Sequence, residues 1–421
     1  MQLKIPHLRW LVAFALFGAA VLNYTDRNVL GLLAVTIQQD LHITNQQYAS
    51  IVNSFLIAYT AANLLSGRVV DKLGVRASLA IFLGVWTAAN AMTGLAWSLA
   101  QICALRFILG LGEAGCYTAS PKAVCEWFPS AERGTAVGIY SAGGAIGATL
   151  APVMVAVVAV HFGWRWVFAV TPMLAAFWLL LWLWLYRPTA THPHMTEREA
   201  RYLAAHQVFT QRTVETSTES ELSRWGRVLR EPLIWQLMLV RLITDPIWYF
   251  FQFWFAKYLQ NVRGLDQEGV GILWTIFAAA TAGFILGGLL SGQLIKRGQN
   301  PAASRLWVML GCAGLAPLVG LIPSLPRVGE VIGISTIVAF AATAWLSNVT
   351  ALVVDLVPQR ILGTAFGVIA CGSALGGLLM NQAVAWFIDH RSYTDVFHLM
   401  LIVHPLALLL VWRLRHRANA G

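Results

Sequence analysis

Long apolar runs constrain this chain more than any motif does. A helix needs about 20 mostly apolar residues to cross a bilayer. Dividing the 421-residue sequence at its charged or Gly/Pro-rich breaks leaves twelve such runs. Six lie at 9–37, 46–70, 77–97, 100–122, 134–160 and 164–186. Six more lie at 231–260, 268–295, 304–323, 328–354, 361–388 and 393–413. Hydrophobic residues make up 58% and charged residues 11%, where a soluble domain has about 45–50% and about 25%. Such a composition excludes a disordered chain, a secreted disulfide scaffold and an ordinary cytosolic enzyme. The expected fold is an all-α polytopic membrane protein of twelve transmembrane helices.

The net charge of +10 does not point to nucleic acid, because the excess Lys and Arg sit in short segments between the runs rather than on one basic face. Of the 29 basic residues, 21 fall in the N-terminus, the even-numbered loops and the C-terminal tail. Five fall in the odd-numbered loops (Arg165, Lys257, Arg263, Arg327, Arg391) and three inside spans (Arg27, Arg106, Arg241). Cytoplasmic loops carry the Lys/Arg excess, so both termini are expected in the cytoplasm of a cell whose inner membrane holds the chain. The N-terminal run continues past any small-residue cleavage site into Asn23-Tyr24-Thr25-Asp26-Arg27 and reads as an uncleaved first span. The five cysteines show no CxxC spacing and read as small apolar residues rather than a disulfide framework or metal site. No cofactor or metal is expected.

One long polar stretch, 187–230, divides the chain into a first six-span half (1–186) and a second (231–421). It reads as a cytoplasmic linker with an amphipathic helix beginning near Thr196-Glu197-Arg198-Glu199. The halves are related. The segment PSAERGTAVGIYSAGGAIG from Pro129 matches PQRILGTAFGVIACGSALG from Pro358 at eight of nineteen positions, including Gly143/Gly372 and Gly147/Gly376. Fainter echoes pair Ser66-Gly67 with Ser291-Gly292, and Thr25-Asp26 with Thr244-Asp245. Six spans separate the members of each pair, which makes the repeat parallel and the halves two pseudo-symmetric bundles. Two such halves around a central cavity imply alternating access, with a site near the bilayer midplane.

The loop after the second span reads Gly67-Arg68-Val69-Val70-Asp71-Lys72-Leu73-Gly74-Val75-Arg76. It resembles the G-x-x-x-D-[RK]-x-G-x-[RK] signature of the major facilitator superfamily. Gly67, Asp71, Lys72, Gly74 and Arg76 are then its conformational-switch residues. Gly67 is expected to permit close packing and Asp71 to meet a neighbouring helix N-terminus. Asn23-Tyr24-Thr25-Asp26-Arg27-Asn28, Arg106-Phe107, Gly110-Leu111-Gly112-Glu113-Ala114 and Glu126-Trp127-Phe128-Pro129 resemble the anion:cation symporter family. Thr244-Asp245-Pro246-Ile247-Trp248-Tyr249-Phe250 resembles its hexuronate and sugar-acid (galactonate-type) members. Galactonate-type members carry a polar amide in spans 5 and 11 where this chain has Gly144 and Ala370, which turns the resemblance toward hexuronates or another organic anion.

An ionised side chain at the bilayer centre costs roughly 2.5–3.5 kcal/mol on insertion scales. Six lie deep in spans: Asp26, Arg27, Arg106, Glu113, Arg241 and Asp245. Arg27 suits bidentate reception of a substrate carboxylate, and Asp26 suits proton exchange; the pair also fits a structural charge bridge between helices. Arg106 and Glu113 are seven residues apart on one helix face, about 10 Å along the axis. A buried glutamate beside three glycines is a candidate proton carrier, and Arg106 a group that holds Glu113 or Asp26 ionised; a static bridge between spans 1 and 4 is the other reading. The resemblance implies that Arg27 binds the anion and that Asp26 and Glu113 take part in coupling. Arg241 and Asp245, at i and i+4, suit a charge pair, a hinge near Pro246 or a counterpart of Asp26. Tyr24, Tyr59, Tyr249, Gln252, Trp345, Asn348 and Asn381 are candidates for a sugar's hydroxyls and flat faces.

The expected activity is proton-coupled import of an organic anion, a hexuronate or related sugar acid, by a monomer in the lipid bilayer. Dicarboxylates, organophosphates, a membrane enzyme or a receptor are the alternatives. No HExxH, GxSxG or P-loop appears, which disfavours an enzyme.

Overall fold

The computed structural model describes residues 4–187, 189, 192–205, 221–358 and 361–412. Among them the chain forms α1 (Leu8–Leu32), α2 (Ala34–Leu41), α3 (Asn45–Thr93), α4 (Leu99–Trp127), α5 (Ser130–Phe162), α6 (Trp164–Leu185), α7 (Glu197–Ala205) and α8 (Glu221–Arg230). It continues through α9 (Pro232–Phe253), α10 (Phe255–Arg263), α11 (Trp274–Lys296), α12 (Pro301–Leu315), α13 (Val328–Leu356), α14 (Leu362–His390), α15 (Tyr393–Leu401) and α16 (Val403–Trp412). Nine segments among the described residues are long and apolar enough to cross a membrane. The two arms of α3, divided at Gly74 (φ +75°), and α9, which carries Arg241 and Asp245, correspond to the remaining expected spans. The middle of the linker, 206–220, lies outside the described residues.

The helices are apolar on both faces. On α6 the inward face includes Val167, Phe168, Ala175, Trp178 and Trp182, while Met173, Leu174, Phe177 and Leu180 are exposed. A helix that is hydrophobic all round belongs in a core or a membrane. The cysteines are unpaired, but only Cys116 and Cys312 are buried; Cys103 and Cys371 are half-buried and Cys125, in the last turn of α4, is exposed.

The chain packs into two compact units, one of Met1–Val29 with Ser54–Thr218 and one of Leu30–Asn53 with Glu219–Gly421. The first is pinned by bare helix backbone. A methyl group on Gly143 of α5 would overlap the Phe17 carbonyl of α1, and one on Gly147 would overlap the Val21 carbonyl. Small residues let membrane helices approach in this way. In the second unit, Gly372 and Gly376 of α14 meet the carbonyls of Met238 and Leu242 of α9 alike. The glycines paired by the sequence repeat therefore make the same contact in each unit. That register makes Val21 the repeat counterpart of Leu242, and hence Tyr24 rather than Asp26 the counterpart of Asp245. The Thr25-Asp26/Thr244-Asp245 echo is out of step, and Asp245 is not the positional counterpart of Asp26.

The expected helix after Thr196 is α7, with the Thr196 hydroxyl accepting from the Glu199 amide. It docks on the first unit rather than standing apart. Glu199 is buried and accepts from the Leu8 amide at 2.8 Å, the Arg9 amide at 3.2 Å and Arg9 Nη1 at 2.9 Å. A carboxylate there satisfies open N–H groups at the start of α1. Arg9 Nε also bonds Glu132 at 2.8 Å, and the Tyr202 hydroxyl donates to the same carboxylate.

Two substitutions separate close packing from simple helix content. Gly147→Ala is expected to lower stability by about 1–3 kcal/mol, the usual range for overpacking. Gly67→Ala, where nothing lies within 4 Å of an added Cβ, is expected to leave it unchanged or slightly raised. Thermal unfolding of the purified protein in detergent checks both.

Candidate functional site

Polar atoms inside a membrane helix need partners on neighbouring helices. In the C-terminal third of α1, Tyr24, Asp26 and Arg27 lie within about one helical turn and fan outward to different neighbours.

Arg27 turns toward α4. Its Nε lies 2.9 Å and its Nη2 2.8 Å from the same Glu113 oxygen, Oε2. The Glu113 side chain is fully buried and that of Arg27 is 13% exposed, so the cation keeps the one opening of the pair. Rings cover the guanidinium: Cζ lies 4.5 Å from the Tyr59 centroid, 5.0 Å from Tyr24 and 5.4 Å from Phe55. Phe55 and Tyr59 stack with each other at 5.6 Å. A desolvated guanidinium over aromatic faces gains cation–π attraction while its in-plane N–H groups stay directed outward. Tyr24 itself rests on bare backbone, since a Cβ at Gly144 of α5 would lie 2.8 Å from two of its ring carbons.

Asp26 turns the other way and is wholly buried. Asn90 Nδ2, from the second arm of α3, donates to Asp26 Oδ1 at 2.7 Å and to Thr171 Oγ1 of α6 at 3.0 Å. Arg106, 2% exposed, lies with its Cζ 5.6 Å from the Phe168 centroid and acts electrostatically on both Asp26 and Glu113. Two acids and two guanidiniums thus share one buried region of the first unit. Gly110 and Gly112 allow this: a Cβ on Gly110 would lie 2.6 Å from the Phe55 carbonyl, and one on Gly112 would lie 2.7 Å from the Trp86 amide. The close approach of both α3 arms to α4 brings Phe55, Tyr59 and Asn90 to the charges. The cation seen bonded to Glu113 is Arg27, a bridge between α1 and α4, and Arg106 acts on both acids. Asn90 and Thr171 escaped sequence reading; their signal was a polar residue in an otherwise apolar run.

The switch loop differs from expectation in two places. Nothing lies close to Gly67, so close packing is not its role. Asp71 meets Lys122 Nζ of α4 at 2.8 Å rather than a helix N-terminus. Gly74 makes the turn between the arms of α3 with a positive φ, and Arg76 donates to the Leu183 carbonyl at 2.6 Å.

In the second unit, Arg241 and Asp245 form the i, i+4 pair at 2.7 Å. The Tyr249 hydroxyl lies 3.4 Å from Ser373 Oγ, and Gln252 is buried. Three other candidates belong to the packed interior. Trp345 sits in the hydrophobic core with its ring edge on His404. Asn348 uses its amide on the Gly287 and Ala344 carbonyls at 3.0 and 2.9 Å. Asn381 accepts from Trp254 and donates to Asn53. Polar groups buried in the fold are normally satisfied by it; Asn381 is used on both its oxygen and its nitrogen, whereas Trp345 Nε1 and Asn348 Oδ1 are buried with no hydrogen-bond partner among the described residues.

The Arg27–Glu113 pair makes a direct prediction. Arg27→Met strands a buried carboxylate and is expected to cost about 3–5 kcal/mol of stability. Arg27→Met combined with Glu113→Gln is expected to recover part of that loss. Unfolding of the single and double variants measures the difference.

A family model described as the Major Facilitator Superfamily matches residues 16–381. The chain is 29% identical over 417 residues to the hexuronate transporter of Escherichia coli (strain K12), covering 97% of this chain and 94% of that protein. It is 31% identical over 288 residues to the galacturonate transporter of Dickeya chrysanthemi, covering 68% and 82%. Its fold is similar to the crystal structure of a bacterial homolog of the human lysosomal transporter Spinster, inward-facing and unoccupied, with a TM-score of 0.76, 17% identity and coverage of 97% and 98%. With a family model spanning most of its length and transporters as its relatives, the chain belongs to the Major Facilitator Superfamily and is a membrane transporter, not an enzyme.

Proposed function

We propose that this transporter imports an organic monoanion, a hexuronate or related sugar acid, together with protons, across the inner membrane by alternating access. The observation that carries the reading is the state of Arg27: a cation whose faces are covered by rings and whose Nε–Nη2 edge is held by Glu113. The hexuronate and galacturonate transporters at 29% and 31% identity support the substrate class.

The geometry supplies a coupling rule. Glu113 and a substrate carboxylate compete for one guanidinium. Protonating Glu113 neutralises it and releases Arg27, and an arriving carboxylate then restores the balance of charge. Either step alone leaves a buried charge without its partner, which is costly. Proton and anion therefore stabilise the same loaded state, as coupling requires. Asp26 is the second proton site, and the Tyr24 and Tyr59 hydroxyls border the opening toward the sugar. Arg241 is engaged by Asp245, which favours a monoanion over a dianion. The Lys/Arg distribution supports cytoplasmic termini, and a single chain is the working unit.

Three outcomes test this. Arg27→Lys keeps the charge but loses the planar fork, and uptake of radiolabelled galacturonate is expected to fall at least tenfold with protein levels unchanged; normal uptake overturns the carboxylate-receptor role. Glu113→Gln is expected to lose accumulation driven by an inward proton gradient while retaining counterflow exchange; unchanged accumulation removes Glu113 from coupling. Gly144→Ala is expected to displace the Tyr24 ring and raise the KM for uptake severalfold, with Gly138→Ala, where an added Cβ meets nothing, as the neutral control.

A further inference from the structure

Asn90 is fully buried, and both of its amide hydrogens are used, one on Asp26 Oδ1 and one on Thr171 Oγ1. This fixes the plane and direction of the amide. Two acceptors at this contact make no hydrogen bond of ordinary geometry among the described residues, Asp26 Oδ2 and Asn90 Oδ1, while the Trp86 indole and the Thr171 hydroxyl also act on the Asp26 carboxylate. A buried acceptor without a donor is unfavourable. A carboxylate and an amide joined through one N–H···O bond hold their second oxygens side by side when the two planar groups align. One proton on Asp26 Oδ2 then serves both atoms, donated from the acid to Asn90 Oδ1 while the existing N–H···O bond is kept.

We propose that Asn90 is the positioning residue that receives the proton of Asp26, through a reciprocal carboxylic acid–amide pair held in place by Thr171. The inference rests on the proton-site role of Asp26 given above and adds the group that stabilises its protonated form. The charged groups facing Asp26 are Arg106 and Glu113 from α4; α3 presents Asn90 and Trp86, and α6 presents Thr171, all uncharged. The ionised form keeps one hydrogen bond to Asn90, and the neutral form makes two.

The sign of the effect is what tests it. If the amide served only as a donor to the carboxylate, removing it would disfavour the charged form. If it receives the proton, removing it disfavours the neutral form. Purified protein in lipid nanodiscs is titrated by infrared difference spectroscopy, and the acid carbonyl band of Asp26 is assigned by its loss in Asp26→Asn. Asn90→Leu is expected to move the midpoint of that band to lower pH by about one unit, a tenfold change in proton affinity, and to shift the band toward the frequency of an acid with no acceptor. Thr171→Val, which frees the amide to turn, is expected to give a smaller shift in the same direction, and it serves as the test if Asn90→Leu does not fold. A midpoint that stays or rises, with the band unmoved, overturns the inference and leaves Asp26 as a proton site. Absence of any band that titrates with Asp26 between about pH 4 and 9 overturns both the inference and the proton role of Asp26.

Discussion

Contact between bare glycine backbone and a neighbouring carbonyl underlies the rest of this architecture. In hydrocarbon, apolar side chains gain nothing from leaving water, so helices associate through close packing and a few polar bonds. Gly143 and Gly147 seat α5 on α1, and Gly372 and Gly376 seat α14 on α9 in the same register. Gly110 and Gly112 draw the two arms of α3 against α4. Without those approaches, Arg27 would not reach Glu113, Asn90 would not reach Asp26, and Tyr24 would have no flat backbone at Gly144 on which to rest.

Buried charge then organises the interior of the first unit. The two acids and two guanidiniums balance in number, but their settings differ. Glu113 is sealed while Arg27 keeps a narrow opening. Asp26 has no opening and is met by a neutral amide. In the mechanism we propose, Glu113 competes with the incoming anion and Asp26 responds to a proton alone. In the second unit, Arg241 and Asp245 form an ion pair along one helix.

Much of this was legible in the sequence, for physical reasons. Span length, the glycine repeat and the six deep charges are local signals, since each is set by the solvent a residue must face. Partner choice is not local. Arg106 and Glu113 share a helix face, yet the direct bond to Glu113 comes from Arg27, 86 residues earlier in the chain. Asn381 has the chemistry of a sugar site and is used instead to tie Trp254 to Asn53. The Thr-Asp echo looked like symmetry and proved out of step, because a two-residue match carries no register of its own.

The sequence by itself determined that the chain lives in lipid, that it is built from two related halves, and which charges must have a reason to be buried. Composition, period and the cost of an ionised group in hydrocarbon are enough for that. Only the tertiary structure decided which acid meets which cation, that Asn90 and Thr171 belong to the site, and that Gly144 matters through the ring it admits. Those outcomes depend on how closely helices distant in sequence approach, and that is set by the absence of side chains at a few glycines.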